Sequence, residues 1–432
     1  MGLFDDSDTP VCPMPSHLVA DAPEPFIGNL SFRQFNMCLS GACAAISCVS
    51  IFILMARHAT HFSKPNEQTK ILKICALIPI EAFLNFISIV EPNAYVYLDP
   101  WIDVFQAWAL GSFFLLMCEF VSPSAQFRDV FFAAFKVPQR RRNRGSGLGG
   151  LEWYRKQWFA VFQYLLIAIG VAIATDITQA ANIYCLESNN IHFAQIWLSI
   201  ISNISVAIAL TAVLRFYGAL KKDLKHHKPL AKLVAFKLII FLSFVQSIIF
   251  QILRSQSVLK ETSTLTYADV NIGIQTMIIC IEMVPISLYF HYAYDVKAYD
   301  ITQARPLPVS DIAGPGFAQA DLEANPQLRP TMINDQVGQA PTEHTKQLYA
   351  KHANARYYGG FLGLRAWASV PDPREIIRAI RFAFVMRSEA IKMKMMSSNI
   401  QSNDGFAMPP PPPPPSYNYH SRGWNQNPGR HV

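Results

Sequence analysis

Seven nearly uninterrupted apolar stretches, near 36–56, 70–90, 101–121, 157–179, 193–217, 232–253 and 272–294, constrain this 432-residue chain more than any other feature. A bilayer core about 30 Å thick takes roughly 20 apolar residues in a helix, and every backbone N–H and C=O inside it must be bonded within the protein. Each stretch is predicted to be a membrane-spanning α-helix. The chain therefore reads as an all-α integral membrane protein with seven spans. The first stretch is no cleaved signal peptide: it starts late, follows an acidic tail and lacks a basic leader. Charged residues make up only 16% of the chain, against about 25% in a soluble domain, which argues against a soluble enzyme. The eight cysteines are scattered, with no Cys/His set at zinc spacing. No nucleophile stands beside a base and no phosphate loop occurs, so neither catalysis, cofactor nor metal is expected.

Loop charges set an expected direction. The loop after the first span carries Arg57, Lys64 and Lys70. The loop after the third carries Arg128, Lys136, Arg140–Arg142, Arg144, Arg155 and Lys156, and that after the fifth carries Lys221, Lys222, Lys225, Lys228 and Lys232. The alternate loops hold only Arg254 and Lys260, and the N-terminal tail is acidic at Asp5, Asp6, Asp8, Asp21 and Glu24. Residues 1–35 are thus expected outside or in a lumen, 36–295 in the membrane and 296–432 in the cytosol. The net charge of +7 is accounted for by loops touching anionic lipid, without nucleic acid. Asn29-Leu30-Ser31 is a glycosylation sequon on the expected outer side, close to the first span. Cys12 and Cys185 share that side and are able to pair, though nothing in the sequence demands it.

A charge at the bilayer centre costs at least about 2.5 kcal/mol on insertion scales. Glu81 lies midway along the second span and Glu282 midway along the seventh, with Asn203 and Gln246 at similar depth in the fifth and sixth. Asp176 lies toward the outer end of the fourth span, and Glu119 toward the inner end of the third. Asp103, near a boundary, asks for no account of its own. Two readings stand: a polar pathway between helices, or interhelical glue of hydrogen-bonded Glu, Asn and Gln. Pro79 and Pro285 are each expected to break a helix beside a carboxylate and to free a carbonyl for a ligand.

Several ordered blocks carry a resemblance: Ile78-Pro79-Ile80; Tyr184-Cys185 with Glu187; Ile201–Val206 running to Phe216-Tyr217, Leu224, His227–Pro229, Lys232 and Lys237-Leu238; Phe241, Phe244 and Gln246; Ile274-Gln275; Cys280–Met283; and His291–Ala293. In these the chain resembles a fungal-type member of the organic solute transporter alpha-subunit/TMEM184 (DUF300) family over roughly Met37 to Tyr294. The resemblance implies a seven-span protein that moves or senses amphipathic organic solutes, without enzymatic activity. It further implies a vacuolar or other endomembrane location, and a single-span beta-type partner or a homo-oligomer. Two positions depart from the family pattern. Glu81 replaces an aromatic or small residue, and Phe105-Gln106-Ala107 replaces Tyr-Glu-Ala, as if a carboxylate had moved from the third span to the second.

The tail is rich in proline, carrying 16 of the 29 prolines from residue 296 onward. Such a segment is expected to be largely disordered. Pro409–Pro415 suits an SH3- or WW-type groove, or serves as a stiff spacer. Asp372-Pro373 opens an amphipathic helix predicted near 372–396, with Ile376, Ile377, Ile380, Phe384 and Ile391 recurring near helical spacing as its apolar stripe. Arg374, Arg378, Arg381, Phe384 and Arg387 of that helix suit an anionic leaflet or a partner groove. Trp367-Ala-Ser-Val370 has the aromatic-x-x-aliphatic spacing of ligands for ubiquitin-like autophagy proteins. Three functional classes remain open: a transporter or transporter subunit, an endomembrane scaffold whose tail recruits a partner, and a seven-helix sensor.

Overall fold

A computed structural model of the chain describes residues 24–122, 125–137, 149–186, 190–222, 229–256, 260–301 and 357–402, with the isolated positions 12, 18, 22, 188, 224 and 258. The proline run 409–415, Arg140–Arg144 and most of the acidic tail lie outside these residues.

Helix α1 (Phe32–Thr60) starts where a capping box can form: the Ser31 hydroxyl accepts from the Gln34 amide, and the Gln34 side chain returns the bond to the Ser31 N–H. The second span is in two pieces, α2 (Pro65–Cys75) and α3 (Leu77–Val90), separated at Ala76. Pro79 explains the break, because it has no N–H for the Cys75 carbonyl one turn back and its ring crowds that carbonyl. Then follow α4 (Tyr95–Val121), the short α5 (Ala125–Ala134), α6 (Gly150–Ala180), α7 (Ala194–Leu220) and α8 (Pro229–Ser255). A π-turn over Asp269–Gly273 leads into α9 (Ile274–Ala293). Pro285 lies inside α9 and does not break it, contrary to expectation. Its ring sits on the exposed face, where a membrane helix accommodates proline without unwinding. The irregularity of this span is the π-turn instead. The Gly273 carbonyl, freed there from the regular ladder, accepts from Asn36 Nδ2 at 2.9 Å and Thr276 Oγ1 at 3.1 Å.

Six helical stretches among the described residues are long and apolar enough to cross a membrane: Phe32–Thr60, Pro65–Val90, Pro92–Val121, Gly150–Ala180, Ala194–Leu220 and Asp269–Tyr299. Helix α8 has the length of a seventh, with an apolar stretch at Phe244–Leu253. Ile46, Val49, Phe52 and Ile53 on α1, and Trp197, Ile200 and Ile204 on α7, are exposed. Continuous apolar faces of this kind suit lipid rather than water. The chain is an all-α membrane protein.

Within the unit Met1–Met386, α6 packs on α4 and α7, α1 packs on α3 and α9, α3 packs also on α4 and α9, and α8 packs on α9. Aromatic rings fill the contact of α4, α5, α6 and α7. Phe132 stacks on Tyr154 with centroids 4.1 Å apart, and Phe114 meets Phe216 at 4.8 Å. At one end, Cys12 is bonded to Cys185, Leu18 N–H donates to Asn93 and the Ser263 hydroxyl donates to Glu24. The opposite end is closed by His58 against the Tyr294 carbonyl and by Tyr358 N–H donating to the Phe62 carbonyl. These are the disulfide end and the basic end below. The other six cysteines lie unpaired in helices.

The last described segment begins at Tyr357. It forms α10 (Leu364–Ser369) and α11 (Arg374–Ser402); the part of α11 from Arg387 onward belongs to a second unit. The Asp372 carboxylate accepts from Arg374 N–H, as a cap at that position should. The helix expected near 372–396 is thus present, but its stripe differs. Ile376, Ala379, Ala383 and Met386 are buried against the bundle, while Arg374, Arg378, Arg381 and Phe384 are exposed. Arg387, the first residue of the second unit, is exposed too.

Candidate functional site

A polar seam runs through the contact of α3, α4, α6 and α7. Gln106 on α4 donates to Glu81 Oε1 on α3 at 3.0 Å, with both residues buried. Three residues back along α4, Asp103 accepts from the Ser202 hydroxyl of α7 at 3.0 Å. On α6, Tyr164 is fully buried. Immediately before Tyr164, Gln163 exchanges bonds with Ser205: the hydroxyl donates to Gln163 Oε1 at 3.0 Å, and Gln163 Nε2 donates to the Ser205 carbonyl at 3.1 Å. Nearer the disulfide end, the Trp101 indole donates to Asp176 at 3.0 Å. The other Asp176 oxygen, Oδ1, is buried without a hydrogen bond among the described residues. Helical periodicity explains why α4 supplies so much of the seam. Asp99, Asp103 and Gln106 recur at spacings of four and three, on one face.

A second polar contact lies elsewhere. Gln246 on α8 donates to Glu282 on α9 at 2.6 Å, while Cys280, two residues earlier on α9, approaches the Ala82 carbonyl of α3. Glu81 and Glu282 therefore turn toward different helix pairs and do not form one midplane pair of acids. Residues two apart on a helix do not share a face, which gives the physical reason.

Other expected residues fall in varied places. Asn203 is half-buried and makes no side-chain hydrogen bond among the described residues; its neighbours Ser202 and Ser205 reach the seam instead. Asp103, read from its position as a boundary residue, is central. Asn36 was not singled out either, although it is buried and links α1 to the π-turn of the seventh span. Pro79 lies two residues before Glu81 at the α2/α3 break. Asn29 is exposed in a tight turn two residues before the Ser31 cap. Trp367 and Val370 are half-buried against the core, with Trp367 6.3 Å from the Phe52 ring, so that short motif is docked rather than displayed.

At the basic end lies a third cluster. Lys70 on α2 contacts Glu119 of α4 at 3.8 Å and Glu375 of α11 at 2.7 Å. Arg128 contacts Glu119 at 3.4 Å. Lys73 donates to the Asp372 carbonyl at 2.8 Å and lies 3.7 Å from Glu375. Among the described residues, no group of His, Cys, Asp or Glu is arranged to hold a metal ion.

The family model for the organic solute transporter Ostalpha matches residues 36–299, which spans every helix of the bundle. The chain belongs to that family. It is also similar to Protein LAZ1 of Arabidopsis thaliana, a TMEM184-type relative, with 25% identity over 323 residues. That match covers 68% of this chain and 65% of the relative, just under two thirds of the relative's length. No solved structure matches. Family membership supports a transporter-like membrane role, and the seam lies wholly inside the matched residues.

Proposed function

We propose that this chain is a transporter, or the transporting subunit of one, for amphipathic organic solutes, with the α3/α4/α6/α7 seam as its polar route. The observation that carries the proposal is the seam itself: Glu81–Gln106, Asp103–Ser202 and Gln163–Ser205 line up along contacts between helices whose outer faces are apolar. Such a row offers exchangeable hydrogen bonds to a solute's polar groups, while its apolar body keeps to the helix surfaces. The acids are satisfied by amide and hydroxyl donors rather than by fixed cations, so a solute's own donor can take a partner's place one for one. The chain acts as transporter and not as enzyme. A single-span beta-type partner, or a second copy, is proposed to complete it.

The N-terminus is proposed to face a lumen or the exterior, and the C-terminus the cytosol. Supporting this direction, the Cys12–Cys185 bond lies at the end away from the basic loops, and disulfides persist in oxidising compartments. We place the protein in a vacuolar or other endomembrane. A second reading, a scaffold, is favoured by the exposed basic face of Arg374, Arg378 and Arg381, which suits an anionic leaflet or a recruited partner.

The test is solute flux in reconstituted vesicles, with and without a single-span partner. Gln106→Leu and Asp103→Ala are expected to reduce flux about tenfold each, the effect of roughly one lost hydrogen bond in a barrier. Glu282→Gln should change it little. Absence of flux from the unmodified chain under both conditions would remove the transport reading. Loss of cytosolic partner capture on truncation after Asp300 would then favour the scaffold.

A further inference from the structure

We propose that Lys70 and Lys73 form a binding site for the anionic group of an amphipathic organic anion, and that the chain's own segment around Glu375 now occupies it. This rests on the transport reading for its purpose but not for its geometry.

Both lysines are almost wholly buried, with side-chain exposures of 5% and 2%. Two ammonium groups taken out of water need compensating charge, or they are strongly disfavoured. Among the described residues the cluster holds three cations, Lys70, Lys73 and Arg128, against the carboxylates of Glu119 and Glu375. Glu119 is shared between Lys70 and Arg128, and it belongs to the bundle. Among the described residues, the negative charge and the carbonyl facing Lys73 come from the tail: the Glu375 carboxylate, the Asp372 carbonyl and the nearby Asp372 charge. Withdrawal of the segment would uncover a cationic recess flanked by the Trp108 ring, 6.0 Å from the Lys73 ammonium.

Apolar shape beside the charge makes the ligand class specific. Immediately after Glu375, Ile376 is buried, and its Cδ1 would lie 3.6 Å from a Cβ added at Gly111 of α4. Gly111 also admits the Phe162 ring of α6, whose nearest atom would be 3.1 Å from such a Cβ. The Trp158 indole donates to the Ala379 carbonyl at 2.9 Å, and Phe382 packs edge-on against the Trp158 ring. The segment thus presents a carboxylate to two lysines and an adjoining apolar body to a groove of Gly111, Trp158 and Phe162. An organic anion with one charged group and an apolar skeleton repeats that arrangement. Glu375 is itself 36% exposed, so the charged end of the site opens to the outside.

The test uses the full-length protein in zwitterionic nanodiscs and two probes: 1-pyrenebutanoate and its uncharged primary amide, with binding read by energy transfer from tryptophan. Glu375→Gln removes the competing carboxylate and should tighten pyrenebutanoate binding about tenfold, since the competent state becomes more populated. Amide binding should stay unchanged. Adding Lys73→Gln should abolish the gain, and Lys73→Arg should keep it. Thermal melting monitors folding; should the lysine variants not fold, the contrast between anion and amide on Glu375→Gln decides. An unchanged pyrenebutanoate affinity, or an equal gain for the amide, would overturn the site. The same variants are assayed for flux in vesicles. This binding pattern without flux in any variant would remove transport and leave the site, whereas flux with binding unmoved would do the reverse.

Discussion

The seam and the basic-end cluster both set ionisable groups between helices yet satisfy them differently. In the seam, acids meet neutral donors: Glu81 meets an amide, Asp103 a hydroxyl, Asp176 an indole. At the basic end, Lys70, Lys73 and Arg128 meet Glu119 and Glu375 as ion pairs. Neutral partners give contacts of small, nearly equal strength, which suits exchange with a passing solute. Paired ions cost several kcal/mol to expose singly, which suits a contact that either holds or is replaced as a whole. The difference separates a route from a fastening.

Three substitutions would break or sharpen that contrast. Glu375→Lys should have the largest effect: it faces two buried ammoniums with a third and should cost about 3 kcal/mol, the lower end for a buried pair because Glu375 still reaches solvent. Limited proteolysis should then cut within residues 357–386 while the bundle stays intact; unchanged protection would show that the ions do not hold the segment. Next, Glu81→Leu leaves the Gln106 amide buried without its acceptor and should destabilise by about 1–3 kcal/mol. Glu81→Gln should cost less, and equal melting temperatures for the two would deny the hydrogen bond its role. Smallest is Ser202→Ala, at about 0.6 kcal/mol by the average for interhelical bonds in membranes. A double-mutant cycle with Asp103→Ala should show coupling of that size, and additivity would mean the two side chains do not interact.

The sequence made the spans readable because apolar runs of this length have one physical use. It also marked the break at Pro79, where a missing N–H is a local fact, and the start of α11 at Asp372-Pro373. What it hid was direction around each helix axis. Glu81 and Glu282 share a depth, but depth does not say which neighbour a side chain faces. Asp103, close to a boundary by position, proved central because the α4 face it shares with Gln106 points inward. Lys70 reads as a loop charge that orients the chain, yet it is buried against Glu375, some 300 positions away, and no local pattern announces such a partner. The stripe of α11 misled for a related reason. Its large residues, Ile377 and Phe384, are exposed, while small Ala379 and Ala383 lie inward, because close approach to α4 and α6 favours small side chains.

The cystine between residues 12 and 185 closes the polypeptide into a loop that passes through the first four hydrophobic crossings. A protease that severed any link inside that loop would leave two fragments still joined, inseparable on a gel until a thiol was added. The opening half of the molecule is in this sense padlocked to the connector that launches the fifth crossing, whatever happens to the turns between.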